Sequence, residues 1–469
     1  MESLITAGSR GMISMSAFLC GIGHAETLPA APPNIIFFLT DDMGSGDGQV
    51  LGHPYMITPN LDRLAREGTS FTQFYIASPV CSPSRAAFLT GRFPAELGIH
   101  HIFGNIAQTE QWGNAQYLPA VPTVMSLLKT AGYRTGHFGK WHLTATGTFT
   151  PPVPEDYGID EIKIGGGFGR MVTPRWDTSD PFYRAKSTGL FVDAAIDFIE
   201  RNKQSPFYIN IWALVPHAPL NPTTEEMAEY SDLKVSANDF SGFMKDYVER
   251  AKDPQSQMTT YCASMTGLDQ ALGRLLDYLD QNGLSENTIL IFSSDNGPED
   301  YAVGEAKNAG MGSPGNSRAR KRSLYEGGTK VPFMIRWPGT VPAGKTDNTS
   351  ILGAVDLLPT LTAVAGVSPV AASNGENVVD AWQGKAFVRN KPLFWEWRWT
   401  VLGNAQYAAP QLAVRQGDWK FLCMPDGSGA ELYNLKSDPE ERSNDVAENP
   451  EIAQSLKELV QSWKSALSN

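Results

Sequence analysis

The chain has 469 residues, 42% hydrophobic and 19% charged, the balance of a folded globular protein with room for a large core and two domains or a domain plus a lobe. A net charge of −12 argues against non-specific nucleic-acid binding, which needs a basic surface. It leaves an anionic substrate open, because a few buried cations outweigh distant surface carboxylates locally.

Residues 1–25 read as an export signal: the apolar run "GMISMSAFLCGIG" follows Arg10, and the small-residue stretch "GHA" precedes Glu26. The expectation is an exported protein, periplasmic or extracellular. No later segment is long and apolar enough for an integral membrane span. Cys20, Cys81, Cys262 and Cys423 have no paired spacing, so neither a zinc motif nor a disulfide framework is expected.

"NIIFFLT" (34–40) is a continuous apolar run that fits a strand buried on both faces, and Asp41-Asp42 follows it at once. In "TPNLDRLAREG", Thr58 is placed to cap a helix, Pro59 to start it and Gly68 to stop it. "TSFTQFY" then alternates like a strand. In "CSPSRAAFLTGR", Ser82-Pro83 reads as a helix entry and Gly91 as its end. Cys81 thus stands just ahead of a helix N-terminus, where backbone N–H groups favour negative charge, with Arg85 one turn on. A half-buried structural cysteine and a low-pKa thiolate are both open readings. The cysteine-phosphatase pattern is not one of them, since Ala87 occupies the sixth position after Cys81, where that pattern needs arginine.

"PTVMSLLKTAG" is a second short helix, with Val124, Leu127, Leu128 and Ala131 expected inward, and "YRTGHFGKWHL" a strand and loop. "PFYINIWALV" (206–215) and "NTILIFSS" (287–294) are two more buried strands, followed by His217 and by Asp295-Asn296-Gly297. Ligands bind beyond the carboxyl ends of strands in open α/β sheets, so these groups point to one shared site. The Gly-rich, basic segment 301–323 is expected to border it. From residue 386 two turn signals separate short strand-like runs, predicting a small antiparallel sheet, and the chain ends in a helix from Pro450 with an apolar stripe from Ile452 to Leu467. The fold class is α/β: a large, mostly parallel sheet flanked by helices over 33–385, with a C-terminal lobe over 386–469.

Cys81-Ser82-Pro83-Ser84-Arg85 matches the C-x-P-S-R signature of the type I sulfatases. "LTDDMGSGD", "TPNLDRLAREG", "GYRTGHFGKWHL", "PHAPL", "SSDNG", "YEGGTKVPFMIRWPG" and "ELYNLKSDPEE" also resemble that family, in its order, from about residue 33 to the end. The resemblance implies an alkaline-phosphatase-like fold, oxidation of Cys81 to formylglycine by a formylglycine-generating enzyme, and hydrolysis of sulfate monoesters. A hydrated aldehyde suits that chemistry: one hydroxyl attacks sulfur and the second allows elimination of sulfate.

Asp41, Asp42, Asp295 and Asn296 offer only oxygen ligands, which suits a hard divalent cation, Ca2+ first and Mg2+ second. The resemblance agrees on all four and adds residue 81 as a ligand. It also implies that Arg85, Lys140 and Lys321 surround the sulfate, ahead of Lys330. Three aspartates, three cations and one divalent ion leave a local charge of +2. His142 is assigned to the hydroxyl proton of residue 81, and His217 with Lys321 to the leaving oxygen. Lys140, His217 and Lys321 therefore also count as substrate-binding, with His101 and Arg318 as outer candidates, beside His100, Asn105, Arg320 and the run "FWEWRW". Packing of Trp395, Trp397 and Trp399 between the lobes is the competing reading. A sulfated carbohydrate is the expected substrate. Alternatives are an aryl sulfatase, a phosphomonoester or phosphonate hydrolase of the same superfamily, and a glycan-binding pseudoenzyme with unconverted Cys81.

Overall fold

The first apolar run forms β1 (Asn34–Asp41), every residue of which is buried. Ile35, Phe37 and Leu39 enter one hydrophobic cluster and Ile36 and Phe38 another, the period-2 signature of a strand covered on both faces. The structure, a computed structural model, describes residues 32–147, 152–165, 175–301, 304–368, 372–399 and 405–467; the expected export signal and Cys20 lie outside the described residues. Among the described residues no helix is long and apolar enough to cross a membrane, and Cys81, Cys262 and Cys423 are buried and unpaired.

The remaining strands, in chain order, are β2 (Thr69–Phe71), β3 (Phe74–Tyr75), β4 (Arg134–Gly139), β5 (Glu161–Ile164), β6 (Phe207–Pro216), β7 (Thr288–Ser294), β8 (Phe333–Arg336), β9 (Lys345–Asp347), β10 (Leu352–Gly353), β11 (Leu393–Glu396), β12 (Leu412–Gln416), β13 (Trp419–Cys423) and β14 (Glu431–Asn434). Among the described residues the main sheet has eight strands in the order β5-β4-β6-β1-β7-β8-β2-β9. Its pairs are parallel except β7–β8 and β8–β2. The three predicted buried strands are thus neighbours: β6 and β7 flank β1, both parallel to it. Asp41 pairs with Pro216 and Thr40 with Ser294, so the three carboxyl ends lie side by side. "TSFTQFY" splits into β2 and β3, the latter in a separate two-stranded sheet with β10.

Helix starts depart from the sequence reading in informative ways. The helix Pro59–Glu67 has no side-chain cap from Thr58. The Thr58 hydroxyl instead accepts from Gln49 N at 2.9 Å, and the free N–H groups of Asn60 and Leu61 donate to the carboxylate of Asp269 at 3.1 and 2.7 Å. Asp269 lies on the long helix Pro254–Gln281, so the cap is tertiary. The next helix runs Cys81–Thr90, one residue earlier than expected, which makes Cys81 its first residue. Gly91 ends it in the left-handed region at φ 63°. In the helix Val124–Thr130, Thr123 and Ser126 form a capping box, and Met125 rather than Leu127 is buried.

The C-terminal sheet is antiparallel in the order β11-β12-β13-β14. The terminal helix Pro450–Ala466 buries Ala453, Leu456 and Val460; Ile452, Leu459 and Trp463 stay half-buried, so the buried stripe is narrower than the apolar pattern. Trp395 is buried and donates Nε1–H to the carbonyl of Ile76 at 2.7 Å, so it packs between this sheet and the rest of the molecule. A buried charge network fastens the same interface. Lys420 of β13 donates to Glu326 Oε1 at 3.0 Å and pairs with Glu441 Oε1 at 2.9 Å. Glu441 Oε2 accepts from Glu326 N at 2.7 Å, and Tyr75 Oη donates to Glu326 Oε2 at 2.7 Å. Burial alone would raise the Glu326 carboxyl, but Lys420 first, then Lys330 and Arg415, hold it below the usual range; burial pushes Glu441 up.

Removing one member of such a network leaves an uncompensated buried charge. Lys420→Met is expected to lower unfolding free energy by about 3 kcal/mol or more, measured by chemical denaturation against wild type.

Candidate active site

The site forms where β1, β6 and β7 end. Beyond β1 the chain turns through Asp42 at φ 70°, a left-handed conformation that a non-glycine residue keeps only when its surroundings impose it. Here Asp42 N donates to Asp295 Oδ1 at 3.1 Å and Met43 N to Ser294 Oγ at 2.9 Å, tying the turn to the end of β7. The turn lets two successive carboxylates serve one cluster. Cys81 Sγ lies 3.5 Å from Asp41 Oδ1 and 4.0 Å from Asp42 Oδ1. Ligand atoms of Asp41, Asp42, Cys81 and Asp295 all fall within 4.8 Å of one another, and all four residues are buried.

Three buried cations face the three carboxylates. Lys140 Nζ donates to both oxygens of Asp41 at 2.9 and 2.7 Å. Lys321 Nζ donates to both oxygens of Asp42 at 2.6 and 2.7 Å. Arg85 holds Asp295 Oδ2 from Nε at 2.8 Å and from NH2 at 2.6 Å, with Asp41 Oδ1 at 3.6 Å. Its guanidinium carbon lies 5.0 Å from the ring centre of Trp212, in cation–π range. Burial alone would raise Asp41, but Lys140, His217, Arg85 and Lys321 hold it well below the usual carboxylate range. Burial would lower Lys321, yet Asp42 keeps it well above the usual lysine range. Burial pushes the Cys81 thiol far above its usual range, with Asp295 adding to the effect, so an unmodified Cys81 stays protonated.

Asn296 donates from Nδ2 to Asp42 Oδ1 at 2.7 Å and to the Gly297 carbonyl at 2.8 Å. Both amide hydrogens are then engaged, and the buried Oδ1 has no hydrogen-bond partner among the described residues. An unengaged buried amide oxygen beside three carboxylates, all hard donors, fits a divalent cation of the calcium or magnesium type. Gly297 is required next to it: a Cβ there would come within 2.0 Å of the Gly327 carbonyl oxygen.

His142, also in a left-handed conformation at φ 54°, donates from Nε2 to the carbonyl of Phe103 at 3.1 Å. Burial, then Lys140 and Arg85, hold it well below the usual histidine range, so it is neutral with its lone pair at Nδ1. His217 donates from Nδ1 to the Ala218 carbonyl at 2.6 Å, and its Nε2 lies 3.9 Å from Asp42 Oδ2. Its side chain keeps 21% exposure while the groups beneath it are buried, so it stands at the mouth of the site.

Every residue predicted for the metal and for sulfate contact is in this cluster: Asp41, Asp42, Cys81, Arg85, Lys140, His142, His217, Asp295, Asn296 and Lys321. The outer candidates are engaged elsewhere. His101 stacks on Trp112 and Trp397 with ring centres 3.9 and 5.1 Å away, with Trp399 edge-on at 4.5 Å, and burial lowers its pKa to about 3. Arg318 lies over the Tyr325 ring at 3.6 Å and donates to Tyr433 Oη and the Glu441 carbonyl, both at 3.1 Å. Arg320 is buried on the carbonyls of Glu299 and Gly310. Lys330 pairs with Glu326 at 3.8 Å. Of the segment 301–323, the part around Lys321 borders the site: Lys321 N donates to the Pro298 carbonyl and Arg322 N to that of Pro79.

Two groups escaped the sequence reading. Buried Glu299 sits 3.7 Å from Lys321 and also pairs with Arg322; its signal was the acidic pair in "DNGPED", three residues beyond Asn296. Arg184 holds the loop of His217 and carried no local signal.

Residues 33–367 match the family profile described as Sulfatase, and residues 318–467 match the one described as N-sulphoglucosamine sulphohydrolase, C-terminal. The chain is 32% identical over 421 residues to the N-acetylgalactosamine-6-sulfatase of Canis lupus familiaris, covering 83% of this chain and 72% of that one. It is 29% identical over 492 residues to the arylsulfatase A of Homo sapiens, covering 92% and 87% of the two chains. Among solved structures, Ps i-CgsB in complex with k-i-k-neocarrahexaose superimposes with a TM-score of 0.74 at 26% identity, over 92% of each chain. A signature cysteine opening a helix against paired carboxylates, on this sheet order and with these relatives, establishes that the chain belongs to the sulfatase family, alkaline-phosphatase-like hydrolases of sulfuric esters.

Proposed function

We propose that the protein removes sulfate from sulfated carbohydrates, using a formylglycine made from Cys81 and a divalent cation, calcium before magnesium, held by Asp41, Asp42, Asp295, Asn296 and residue 81. The observation that carries this reading is the meeting of Cys81, in an intact C-S-P-S-R signature, with three carboxylates and three cations in one buried cluster. The carbohydrate is supported by the relative named N-acetylgalactosamine-6-sulfatase and by the neocarrahexaose bound to the structure 26% identical to this chain. The signal-like residues 1–25 support export to the periplasm or the extracellular space, with a formylglycine-generating enzyme as the maturation partner.

A hydrated aldehyde at position 81 supplies one hydroxyl to attack sulfur and a second that allows sulfate to leave, which a buried protonated thiol does not. A divalent cation among these donors supplies Lewis-acid withdrawal of charge from the sulfate oxygens. The chain's own residues do the rest. Asp41, Asp42 and Asp295 balance Lys140, Lys321 and Arg85, and Arg322 balances Glu299, so a divalent ion held there would leave an excess of +2 toward the ester. Lys140, Lys321 and Arg85 orient the sulfate oxygens. His142 takes the proton of the residue 81 hydroxyl at Nδ1, its other nitrogen being fixed on Phe103. Beneath His217, the buried Lys321 ammonium polarises the leaving oxygen. Burial keeps His217 below the usual histidine range in spite of Asp41 and Asp42. A bound anion restores proton affinity to His217, so Nε2 can carry the proton that the leaving oxygen receives.

In active enzyme, the peptide containing Cys81 is expected to be about 18 Da lighter than its unmodified mass, read by mass spectrometry. Cys81→Ala is expected to lower kcat at least about a thousandfold with an unchanged circular dichroism spectrum; undiminished turnover removes the nucleophile assignment. Chelator treatment is expected to abolish turnover, and calcium at about a hundred times its dissociation constant to restore it while adding about 2.7 kcal/mol of stability. Across sulfated mono- and oligosaccharides and matched phosphate esters, kcat/KM is expected to favour a sulfated sugar; preference for the phosphate ester assigns the protein to the phosphoryl branch of the fold.

A further inference from the structure

The end of β6 and the turn that follows it, "LVPHAPL", carry His217 between two prolines that contribute no N–H of their own. Its carbonyls are gathered by one side chain. Arg184, in the first turn of the helix Tyr183–Asn202, donates from NH2 to the carbonyls of Leu214 at 2.8 Å, Ala218 at 3.2 Å and His217. From Nε it donates to the carbonyl of Pro219 at 3.2 Å. Four backbone oxygens within six residues thus converge on one half-buried guanidinium, and among the described residues no carboxylate pairs with it. A planar fork of several N–H donors suits this task, and a single ammonium does not.

Two of those oxygens bear directly on His217. One is its own carbonyl. The other, the carbonyl of Ala218, also receives the His217 Nδ1–H at 2.6 Å. That bond sets the tautomer and the ring plane, leaving Nε2 toward Asp42 at 3.9 Å. Arg184 therefore holds the acceptor that holds the imidazole.

We infer that Arg184 is a positioning residue for proton transfer to the leaving oxygen: by fixing the backbone of 214–219, from the end of β6 into the turn, it keeps His217 Nε2 aimed at the departing group. This rests on the leaving-group reading of His217. Proton transfer matters most when the departing alkoxide is basic and least when it is already stable, so loss of aim shows as a dependence on the leaving group. A residue that merely supports the fold slows good and poor leaving groups alike.

The test uses active, matured enzyme and compares kcat for 4-nitrophenyl sulfate with kcat for phenyl sulfate in wild type, Arg184→Gln, Arg184→Lys and His217→Ala. Arg184→Lys keeps the charge and serves if Arg184→Gln does not fold. The ratio of the two rates is expected to rise by about tenfold or more in His217→Ala and in Arg184→Gln, and by an intermediate amount in Arg184→Lys. A ratio that moves in His217→Ala and stays at the wild-type value in both Arg184 variants overturns the positioning role alone. A ratio unmoved in His217→Ala removes the leaving-group reading, and the role of Arg184 with it.

Discussion

The structure depends on the mutual neutralisation of three buried carboxylates and three buried cations at the end of β1. Each of Asp41, Asp42, Asp295, Arg85, Lys140 and Lys321 is almost fully out of water. Any one alone would carry a desolvation penalty of several kcal/mol. Together they are tolerable because each ammonium meets two oxygens of one carboxylate and the guanidinium meets Asp295 from two nitrogens. The cost of burying the charges secures a buried, strongly polar centre, in which a sulfate ester is drawn in by charge instead of by surface area.

That centre requires the strand order. Asp41–Asp42 and Asp295–Asn296 come from segments far apart in the chain, and only the parallel β6-β1-β7 arrangement sets their ends side by side. The helix beginning at Cys81 then delivers the thiol and Arg85 from one turn. The segment around Lys321 is pinned at both sides, to Pro79 near the cysteine and to Pro298 near Asn296. The C-terminal sheet takes part indirectly. Lys420 holds Glu326, the next residue is Gly327, and its carbonyl lies where a Cβ on Gly297 would have to go. The C-terminal sheet and the loop after β7 are therefore linked through the successive residues Glu326 and Gly327.

Fold class and most of the candidate site were legible in the residues. Continuous apolar runs ending in Asp-Asp, Pro-His and Asp-Asn-Gly identify buried parallel strands with polar ends, because an unbroken apolar run suits burial on both faces. What escaped was whatever depended on a partner distant in sequence. Thr58 has the right identity for a cap, yet Asp269, some two hundred residues on, supplies it. His101 and Arg318 are residue types that often bind ligands, but aromatic rings enclose the first and one holds the second. The "FWEWRW" tryptophans carry no periodicity that separates a sugar platform from an interlayer contact, and Trp395 proves to be the latter.

The sequence by itself determined the chemistry on offer: oxygen donors, a signature cysteine, nearby cations and two histidines, each fixed by local composition at a strand or helix end. Only the tertiary structure decided which cation neutralises which carboxylate and that Asn296 Oδ1 has no hydrogen-bond partner among the described residues. It alone shows that Arg184 gathers the carbonyls of the His217 loop. Those are distances between segments, and the ordering of distant segments in a sheet is set by the packing of its whole core.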